Sequence, residues 1–278
     1  MRIAVIITSY NRKEKTHKCL FSLSQIDAEH TFDVYLTEDG STDGTTEMIQ
    51  KDYPTVHLIH GDGNLFWNRG MYAAWKEAMK AEYDYYLWLN DDIVLYPYFL
   101  EELFDCMKMA GGDAIVSGLI EDQDKSKIIY GGSDSQKRIA TPSDRPTIVT
   151  FMNGNVVLIP KVIVDAIGIL DPVYHHDLGD VDYGLRAIEA GYKVVTTCKP
   201  VAYGYENSYC RVRKWNSSLL GRFKKLYSPL GSNPSINFYF RKRHYGFFNA
   251  VCYWAFLHFI NILPDKLILM MFGDRYIG

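Results

Sequence analysis

The sequence predicts an α/β fold in which a mixed, Rossmann-like sheet is flanked by helices and followed by a helical appendage. Short, almost wholly apolar runs alternate with segments of helical periodicity up to about residue 90, as in strands that are buried on both faces. Such alternation builds a largely parallel sheet through right-handed crossovers. After about residue 113 the alternation stops, and the remaining runs indicate antiparallel or mixed pairing.

Each predicted element follows from one such segment. In the first half the strands are 3–10, 32–37, 56–59 and 85–89, and the helices are 13–24, 45–51 and 69–81. In the second half the strands are 113–120, 127–133, 147–160 and 192–203, and the helices are 162–167 and 181–190. From about residue 228 the chain becomes aromatic and basic, then strongly apolar, so we predict a main domain over 1–225 and a helical segment over 226–278.

Composition narrows the class of protein. The formal net charge of -3 gives no reason to expect a nucleic-acid partner. Five cysteines are scattered without a CxxC pair, which indicates reduced thiols in a cytoplasmic protein. The apolar part of the first twelve residues is too short for a signal peptide and is better interpreted as the first strand.

Polar clusters stand at the carboxyl ends of the first strands, where ligands bind in open α/β sheets. Four clusters share this placement: 8–11, 38–40, 61–64 and 90–92. In the last of them Asp91 and Asp92 are adjacent, although like charges repel and their desolvation is costly. A turn explains the tripeptide alone. Four clusters on one edge favour a ligand and cation site instead.

Two enzyme classes fit these clusters poorly. A dinucleotide-binding dehydrogenase requires a glycine-rich turn after the first strand, and the chain has TSYNRKEK there. A hydrolase with a metal ion on His175, His176, Asp177, Asp180 and Asp182 is conceivable, because His and Asp are metal ligands. Adjacent histidines on a loop point in different directions, however, and an aspartate before a helix is explained by capping.

Six motifs taken together resemble family 2 inverting glycosyltransferases of the GT-A fold, and in particular their bacterial rhamnosyltransferase-like members. In order they are TSYNR, TEDGSTDGT, GDGNLFWNRG, LNDD, NGNVVLIP and GDVDYGLRAIEAGYKV. The resemblance covers about residues 1–215, so the main domain is expected to be a GT-A domain. It implies a metal-dependent transfer of a sugar from dTDP-rhamnose or a UDP-sugar to a hydroxyl of a glycan or lipid-linked oligosaccharide, in surface polysaccharide synthesis.

The resemblance also implies roles for residues that bind the donor. Thr8 and Tyr10 are expected to line the nucleoside pocket, and Asp39 to accept the base N–H. Because Asp39 precedes a turn, we expect its carboxylate to be exposed rather than buried. The loop from Asn64 to Gly70 is expected to close over the ribose and diphosphate, with Arg69 as a phosphate contact.

The metal and the base follow from the last motifs. By the resemblance, Asp92 binds Mg²⁺ or Mn²⁺, Asp91 contacts the ribose or the metal shell, and Asp180 is the general base. The chain departs from the family pattern at Asn90, where an aspartate is usual, and at Gly179, where a glutamate is usual.

A third metal ligand is also in question, because the stretch VAYGYENSYC lacks the histidine that family members often carry there. Glu206, Asn207 or water would have to replace it. Arg186, at i,i+4 from Asp182, is expected to pair with it and leave Asp180 free for the acceptor.

Alternatives remain at this point. A nucleotidyltransferase also needs Mg²⁺ and a nucleotide pocket, and the departures keep a non-catalytic sugar-binding homologue open. The apolar run 247–263 is shorter than the about 20 residues of a spanning helix and suits a helix lying on an anionic membrane. This predicts a peripheral protein on the inner face of the plasma membrane; packing on the protein's own core or in an oligomer is the alternative.

Overall fold

The computed structural model describes residues 1–26, 31–206 and 211–276. Within them the chain forms two compact units. The first comprises Met1–Pro172 and Gly179–Glu206, and the second comprises Val173–Leu178 and the described residues from 211 onward. The residues with an expected role in donor binding, metal binding or base catalysis lie in the first unit: Thr8, Tyr10, Asp39, Asn64, Arg69, Asp91, Asp92 and Asp180.

The first unit alternates strands and helices and then turns to strand pairs. Its strands are β1 Arg2–Ser9, β2 Thr31–Glu38, β3 His57–His60, β4 Tyr85–Leu89, β5 Val94–Leu95, β6 Ala114–Asp122, β7 Ile128–Tyr130, β8 Gly132–Ser133, β9 Phe151–Met152, β10 Val156–Pro160 and β11 Lys193–Gly204. Its helices are α1 Lys13–Ser24, α2 Thr45–Asp52, α3 Phe66–Ala78, α4 Phe99–Ala110, α5 Lys161–Ile167 and α6 Gly179–Glu189.

The main sheet has the order β3-β2-β1-β4-β10-β6-β11-β5, with β7 paired to β6. The first four strands of this order pair in parallel, so their carboxyl ends meet at one edge. The predicted meeting of the polar clusters at that edge is therefore confirmed. β10 runs antiparallel to both β4 and β6, which confirms the predicted mixed pairing of the second half.

The sheet is buried on both faces, and β1 shows how the sequence achieves this. Ile3, Val5 and Ile7 belong to one hydrophobic cluster, whereas Ala4 and Ile6 belong to the other. Successive side chains of a strand point to opposite faces, so an unbroken apolar run supplies both clusters at once.

Within the first unit, β5 and α4 were not predicted, and several boundaries differ from the predicted ones. The predicted strands 127–133 and 147–160 are each divided into two short strands. The two-residue strand β5 is too short to show a pattern, and α4 was missed. α3 begins at Phe66, three residues before its predicted start. The predicted closing loop from Asn64 to Gly70 is therefore wrong for its second part, because residues 66–70 are the first turns of a helix.

The second unit is helical. Its helices are α7 Leu219–Leu226, α8 Pro234–Tyr245, α9 Phe247–Ile262 and α10 Asp265–Phe272, followed by a 3-10 turn, Gly273–Tyr276. Arg213 is 1% exposed and donates to the carbonyls of Ile260 and Leu263 and to Asp265. Arg213 thus has a structural role, because cations stabilise the free carbonyls at a helix C-terminus. Across the described residues, no helix combines the length and apolar character that crossing a bilayer requires.

Candidate active site

Asp91 and Asp92 converge on one cation. The Nη1 atom of Arg12 lies 3.1 Å from Asp91 Oδ1 and 2.9 Å from Asp92 Oδ2. Arg12 follows β1 and the carboxylates follow β4, and these strands are parallel neighbours. The guanidinium group therefore offsets the repulsion between adjacent carboxylates. Arg12 was not among the predicted site residues; it is the first of three cations, with Lys13 and Lys15, that follow the first strand.

Burial dominates the electrostatics of this pair. Asp91 is 5% and Asp92 6% exposed. Burial raises the pKa of Asp91 to about 6; Arg12 opposes the rise and the charge of Asp92 adds to it. The Thr16 hydroxyl lies 3.4 Å from Asp91 Oδ2, at the limit of a hydrogen bond. The site thus holds strongly desolvated negative charge that a cation stabilises.

This donor set fits a divalent cation. Mg²⁺ and Mn²⁺ prefer carboxylate oxygens, and one oxygen of each aspartate already faces a common positive atom. The side chain of Arg12 is 40% exposed, so it has room to move aside or share the position. Asp91 and Asp92 are the residues that would hold the ion.

Asn90 has a structural role that its place in the motif did not indicate. Its Oδ1 accepts the indole N–H of Trp67 at 2.6 Å, and its Nδ2 donates to Asn155 Oδ1 at 2.5 Å. Its backbone N–H donates to the Asn155 carbonyl at 2.8 Å. An aspartate here would keep the first contact and lose the second, because a carboxylate does not donate. The asparagine therefore ties β4 to the NGN turn before β10.

Asp180 lies against the same turn. Its Oδ2 accepts the backbone N–H of Gly154 at 3.0 Å, and its Oδ1 accepts that of Val181 at 2.8 Å. A Cβ on Gly154 would lie 2.6 Å from the Trp67 ring, so only glycine permits this close approach. Asp180, the NGN turn and the strand end of Asn90 are thus brought together. The helix starts at Gly179, which places Asp180 in its first turn, where the dipole favours the ionised carboxylate.

The predicted pairing within this helix is confirmed. Arg186 Nε lies 2.9 Å from Asp182 Oδ2, and Asp182 is fully buried. The Asp182 carboxylate is therefore engaged by Arg186, and it does not join the metal set of the hydrolase interpretation. Among the described residues, one group of three His, Cys, Asp or Glu side chains brings its ligand atoms within 4.8 Å of one another, and it lies elsewhere in the first unit.

Asp39 is buried, which corrects the expectation of an exposed carboxylate. It is 3% exposed; its Oδ1 accepts the N–H of Gly63 at 2.9 Å, and its Oδ2 accepts those of Leu65 and Phe66 at 2.9 and 3.1 Å. These amides belong to the loop before α3 and to the first residue of that helix. Asp39 thus caps α3 from a neighbouring strand.

The cap leaves a limited capacity for a ligand. A carboxylate offers about four lone-pair sites, and the loop uses three of them, so one remains on Oδ1. At Gly61 a Cβ would lie 2.4 Å from Asp39 Oδ1, which is why the loop needs glycine there.

The other predicted binding residues are placed differently from one another. Thr8 is 9% exposed and its hydroxyl donates to the Thr37 carbonyl, whereas Tyr10 is 50% exposed after the end of β1. Asn64 is exposed in the loop before α3. Arg69 lies on α3 and donates through Nε to the Pro172 carbonyl at 2.9 Å. The side chains of Tyr10 and Asn64 are thus accessible at the carboxyl edge of the sheet, whereas the side chain of Thr8 is buried.

The candidates for a third metal ligand gain no support from their placement. Glu206 lies in the first unit and pairs with Lys127 at 2.5 Å. Asn207 lies outside the described residues. The placement of the described residues therefore assigns no third metal ligand.

The family model for glycosyl transferase family 2 matches residues 4–163, more than half of the chain. The chain belongs to glycosyl transferase family 2. The predicted family and enzyme class, a glycosyltransferase, are confirmed at this level. The matched region contains Arg12, Asp39, Asp91 and Asp92, whereas Asp180 lies beyond it.

Curated relatives are distant. A stretch of 59 residues is 39% identical to an uncharacterized glycosyltransferase, YfnE, of Bacillus subtilis, covering 20% of this chain and 15% of that protein. Over 223 residues the chain is 26% identical to an N-acetylglucosaminyl-diphospho-decaprenol L-rhamnosyltransferase of Mycobacterium tuberculosis, covering 68% of this chain and 71% of that protein. The rhamnosyltransferase-like resemblance is thereby confirmed as a similarity.

Solved structures share the fold. The alignment with TarS of S. aureus covers 98% of this chain and 46% of the TarS chain, with 12% identity and a TM-score of 0.60. A mannosyltransferase of Pyrobaculum calidifontis, in complex with GDP-Man and Mn²⁺, matches 97% of this chain and 78% of its own, with 15% identity and a TM-score of 0.58. The predicted GT-A fold is confirmed by these neighbours.

Proposed function

We propose that this glycosyltransferase is metal-dependent and inverting, and that it moves a sugar from dTDP-rhamnose or a UDP-sugar to a hydroxyl of a glycan or lipid-linked oligosaccharide. The observation that carries the proposal is the convergence of Asp91 and Asp92 on one cationic atom at the carboxyl edge of the parallel strands. A nucleoside diphosphate leaving group needs positive charge at such a place. When bound there, Mg²⁺ or Mn²⁺ neutralises the diphosphate.

Residues of the chain itself supply the contacts to the nucleobase and the phosphates of the donor. Asp39 holds the loop before α3 in position and keeps one lone pair for the nucleobase. Tyr10, exposed at the end of β1, offers a ring against which a base packs. With Asp91 and Asp92 holding a metal ion, Arg12 would be available to donate to a phosphate oxygen.

Asp180 is the proposed general base. The Gly154 and Val181 amides fix its carboxylate, and both favour the ionised form that accepts a proton from the acceptor hydroxyl. A second carboxylic acid is not required, in contrast to glycoside hydrolysis, because the neutralised diphosphate leaves without protonation.

A lipid-linked acceptor is supported from two directions. The name of the M. tuberculosis relative describes rhamnosyl transfer to a diphospho-decaprenol-linked sugar. In the second unit, α9 exposes a stripe of large apolar side chains at intervals close to the helical repeat: Phe247, Phe248, Val251, Trp254, Phe259 and Ile262. Lys224 and Lys242 are exposed in the same unit. An amphipathic surface with nearby cations is typical of a protein that lies on an anionic membrane.

The test combines binding with chemistry. Thermal unfolding is followed with dTDP-rhamnose, UDP-sugars and GDP-mannose, with and without Mn²⁺, because a ligand of the native state raises the Tm. We expect the dTDP or a UDP donor to raise the Tm only with Mn²⁺, and expect metal-dependent release of the nucleoside diphosphate when an acceptor is added. A nucleotidyltransferase would instead release pyrophosphate from a nucleoside triphosphate and a sugar phosphate.

A further inference from the structure

Three ligand-type side chains meet at a place that includes none of the motifs of the proposed donor site. Glu102 and Cys106 lie one turn apart on α4, and Cys198 lies where the register of β11 shifts against β6. The two sulfurs are 3.6 Å apart, and the three ligand atoms all lie within 4.8 Å of one another. Cys106 is fully buried and Cys198 is half-buried. The proposed reaction uses none of the three.

The spacing is close to that of a tetrahedral metal site. With Zn–S bonds of about 2.3 Å, tetrahedral angles place two sulfurs about 3.8 Å apart, and a sulfur and a carboxylate oxygen about 3.6 Å apart. The observed separations are 3.6 Å between the sulfurs and 3.3 Å between Cys106 Sγ and Glu102 Oε1. Shifts of a few tenths of an ångström would therefore admit the ion.

The surroundings supply orientation and charge. The backbone N–H groups of Cys198 and Lys199 donate to Glu102 Oε1 at 2.8 and 3.2 Å, which fixes the carboxylate as outer-shell contacts do. Two thiolates and one carboxylate carry three negative charges, and Zn²⁺ leaves one of them uncompensated. Lys199 Nζ, 3.4 Å from Glu102 Oε2, balances it.

We propose that Glu102, Cys106 and Cys198 bind Zn²⁺, with water in the fourth position on the exposed side of Cys198, and that the ion fastens α4 to β11. Thiolate ligands select zinc over the hard cations that suit Asp91 and Asp92. The two sites are therefore chemically distinct, and this proposal does not rest on the proposed function. Burial raises the pKa of both thiols, so zinc binding releases their protons.

Cobalt substitution tests the proposal. The full chain is reduced with a phosphine, freed of metal and titrated with Co²⁺. We expect one equivalent to give a thiolate-to-cobalt charge-transfer band and the strong visible bands of tetrahedral Co²⁺, both abolished by Zn²⁺. Carboxylates such as Asp91 and Asp92 cannot give the charge-transfer band, so the donor site does not interfere.

Matched variants locate the site. Cys198→Ser, at a half-buried position, is expected to lose the band and to weaken zinc affinity by more than about 100-fold, the upper range for loss of an outer-shell partner. Cys252→Ser removes an exposed thiol of the second unit and is expected to retain both. Zinc is expected to raise the Tm of the wild type and of Cys252→Ser but not that of Cys198→Ser. Absence of the band in the wild type, or its survival in Cys198→Ser, overturns the proposal.

Discussion

Arg12 donates through Nη1 to Oδ2 of Asp92 at 2.9 Å, and the same nitrogen reaches Asp91 at 3.1 Å. An arginine that bridges two adjacent buried carboxylates stands where a metal ion would neutralise them. The two cations compete for the same oxygens, so the loss of one favours the other. The guanidinium group thus acts as the counter-ion of both carboxylates.

Arg12→Ala is expected to increase the affinity of the nucleotide-free protein for Mn²⁺ several-fold, because it removes the competing cation. Without metal, the variant is expected to have a lower Tm than the wild type, since two buried charges lose their partner, and Mn²⁺ is expected to restore it. Isothermal titration and thermal unfolding measure the two effects. Arg2→Ala removes the exposed pair with Asp33 at the opposite end of β1 and serves as the control. Weaker Mn²⁺ binding by Arg12→Ala would contradict competition.

Asp91 is expected to make the stability of the metal-free protein depend on pH. Its folded pKa of about 6 lies above the unfolded value of about 3.9, so its favourable contribution is present below about pH 4 and is lost as the pH rises through 6. In EDTA, Asp91→Asn is therefore expected to gain stability relative to the wild type between pH 4 and 7, by about 3 kcal/mol. Denaturant unfolding across this range measures the difference. A difference independent of pH would show that the carboxyl titrates normally.

The sequence was informative where function depends on strand order and less so where it depends on contacts between distant segments. The meeting of Thr8, Asp39 and Asp91 at one edge follows from apolar runs that alternate with helices, a local pattern. The hydrogen bonds of the Asp39 carboxylate do not follow from such a local pattern. Their donors lie 24 to 27 residues later in the chain, in a loop whose conformation a local pattern does not predict. Asn90 looked like a missing charge for the same reason: its partners, Trp67 and Asn155, become neighbours only in the folded sheet.

Asp39→Asn is expected to lower both nucleotide affinity and stability. The amide keeps one oxygen and turns an NH₂ group toward a backbone N–H, so a buried donor loses its acceptor at a cost of about 1–3 kcal/mol. The loop before α3 loosens as a result, and affinity for UDP and dTDP falls. Titration calorimetry and thermal unfolding measure the two. Asp62→Asn, on an exposed residue of the same loop, is the control. Unchanged affinity for both nucleotides would remove Asp39 from the donor site.

Phe248→Glu is expected to weaken binding to anionic liposomes at low salt at least ten-fold without changing the Tm. The side chain is 83% exposed, so the substitution spares the fold while placing a charge in the apolar stripe of α9. Co-sedimentation with vesicles that contain phosphatidylglycerol measures the effect. Phe21→Glu alters a phenylalanine that is 55% exposed on α1 and is expected to bind as the wild type does. Equal binding by both variants and the wild type would exclude α9 as the contact.

Asp180→Asn is expected to lower the transfer rate and Asp182→Asn to lower the stability, although the two residues lie in the same turn of α6. Asp180 is half-buried, so the hydrogen bond that its amide cannot keep is replaced by water, and the Tm and the donor affinity stay close to wild type. Transfer is expected to fall by about 10²- to 10⁴-fold, the contribution of a general base. Asp182 is fully buried against Arg186, and breaking that pair costs about 3 kcal/mol.

Turnover of Asp182→Asn per folded molecule is expected to stay within a few-fold of the wild type, because its carboxylate contacts Arg186 rather than the acceptor. Donor-saturated transfer rates and denaturant unfolding of both variants therefore give opposite patterns. Turnover like that of the wild type in Asp180→Asn would assign the base to another carboxylate. A loss of stability in Asp180→Asn that matches its loss of transfer would instead show that its hydrogen bonds to Gly154 and Val181 are what the reaction needs.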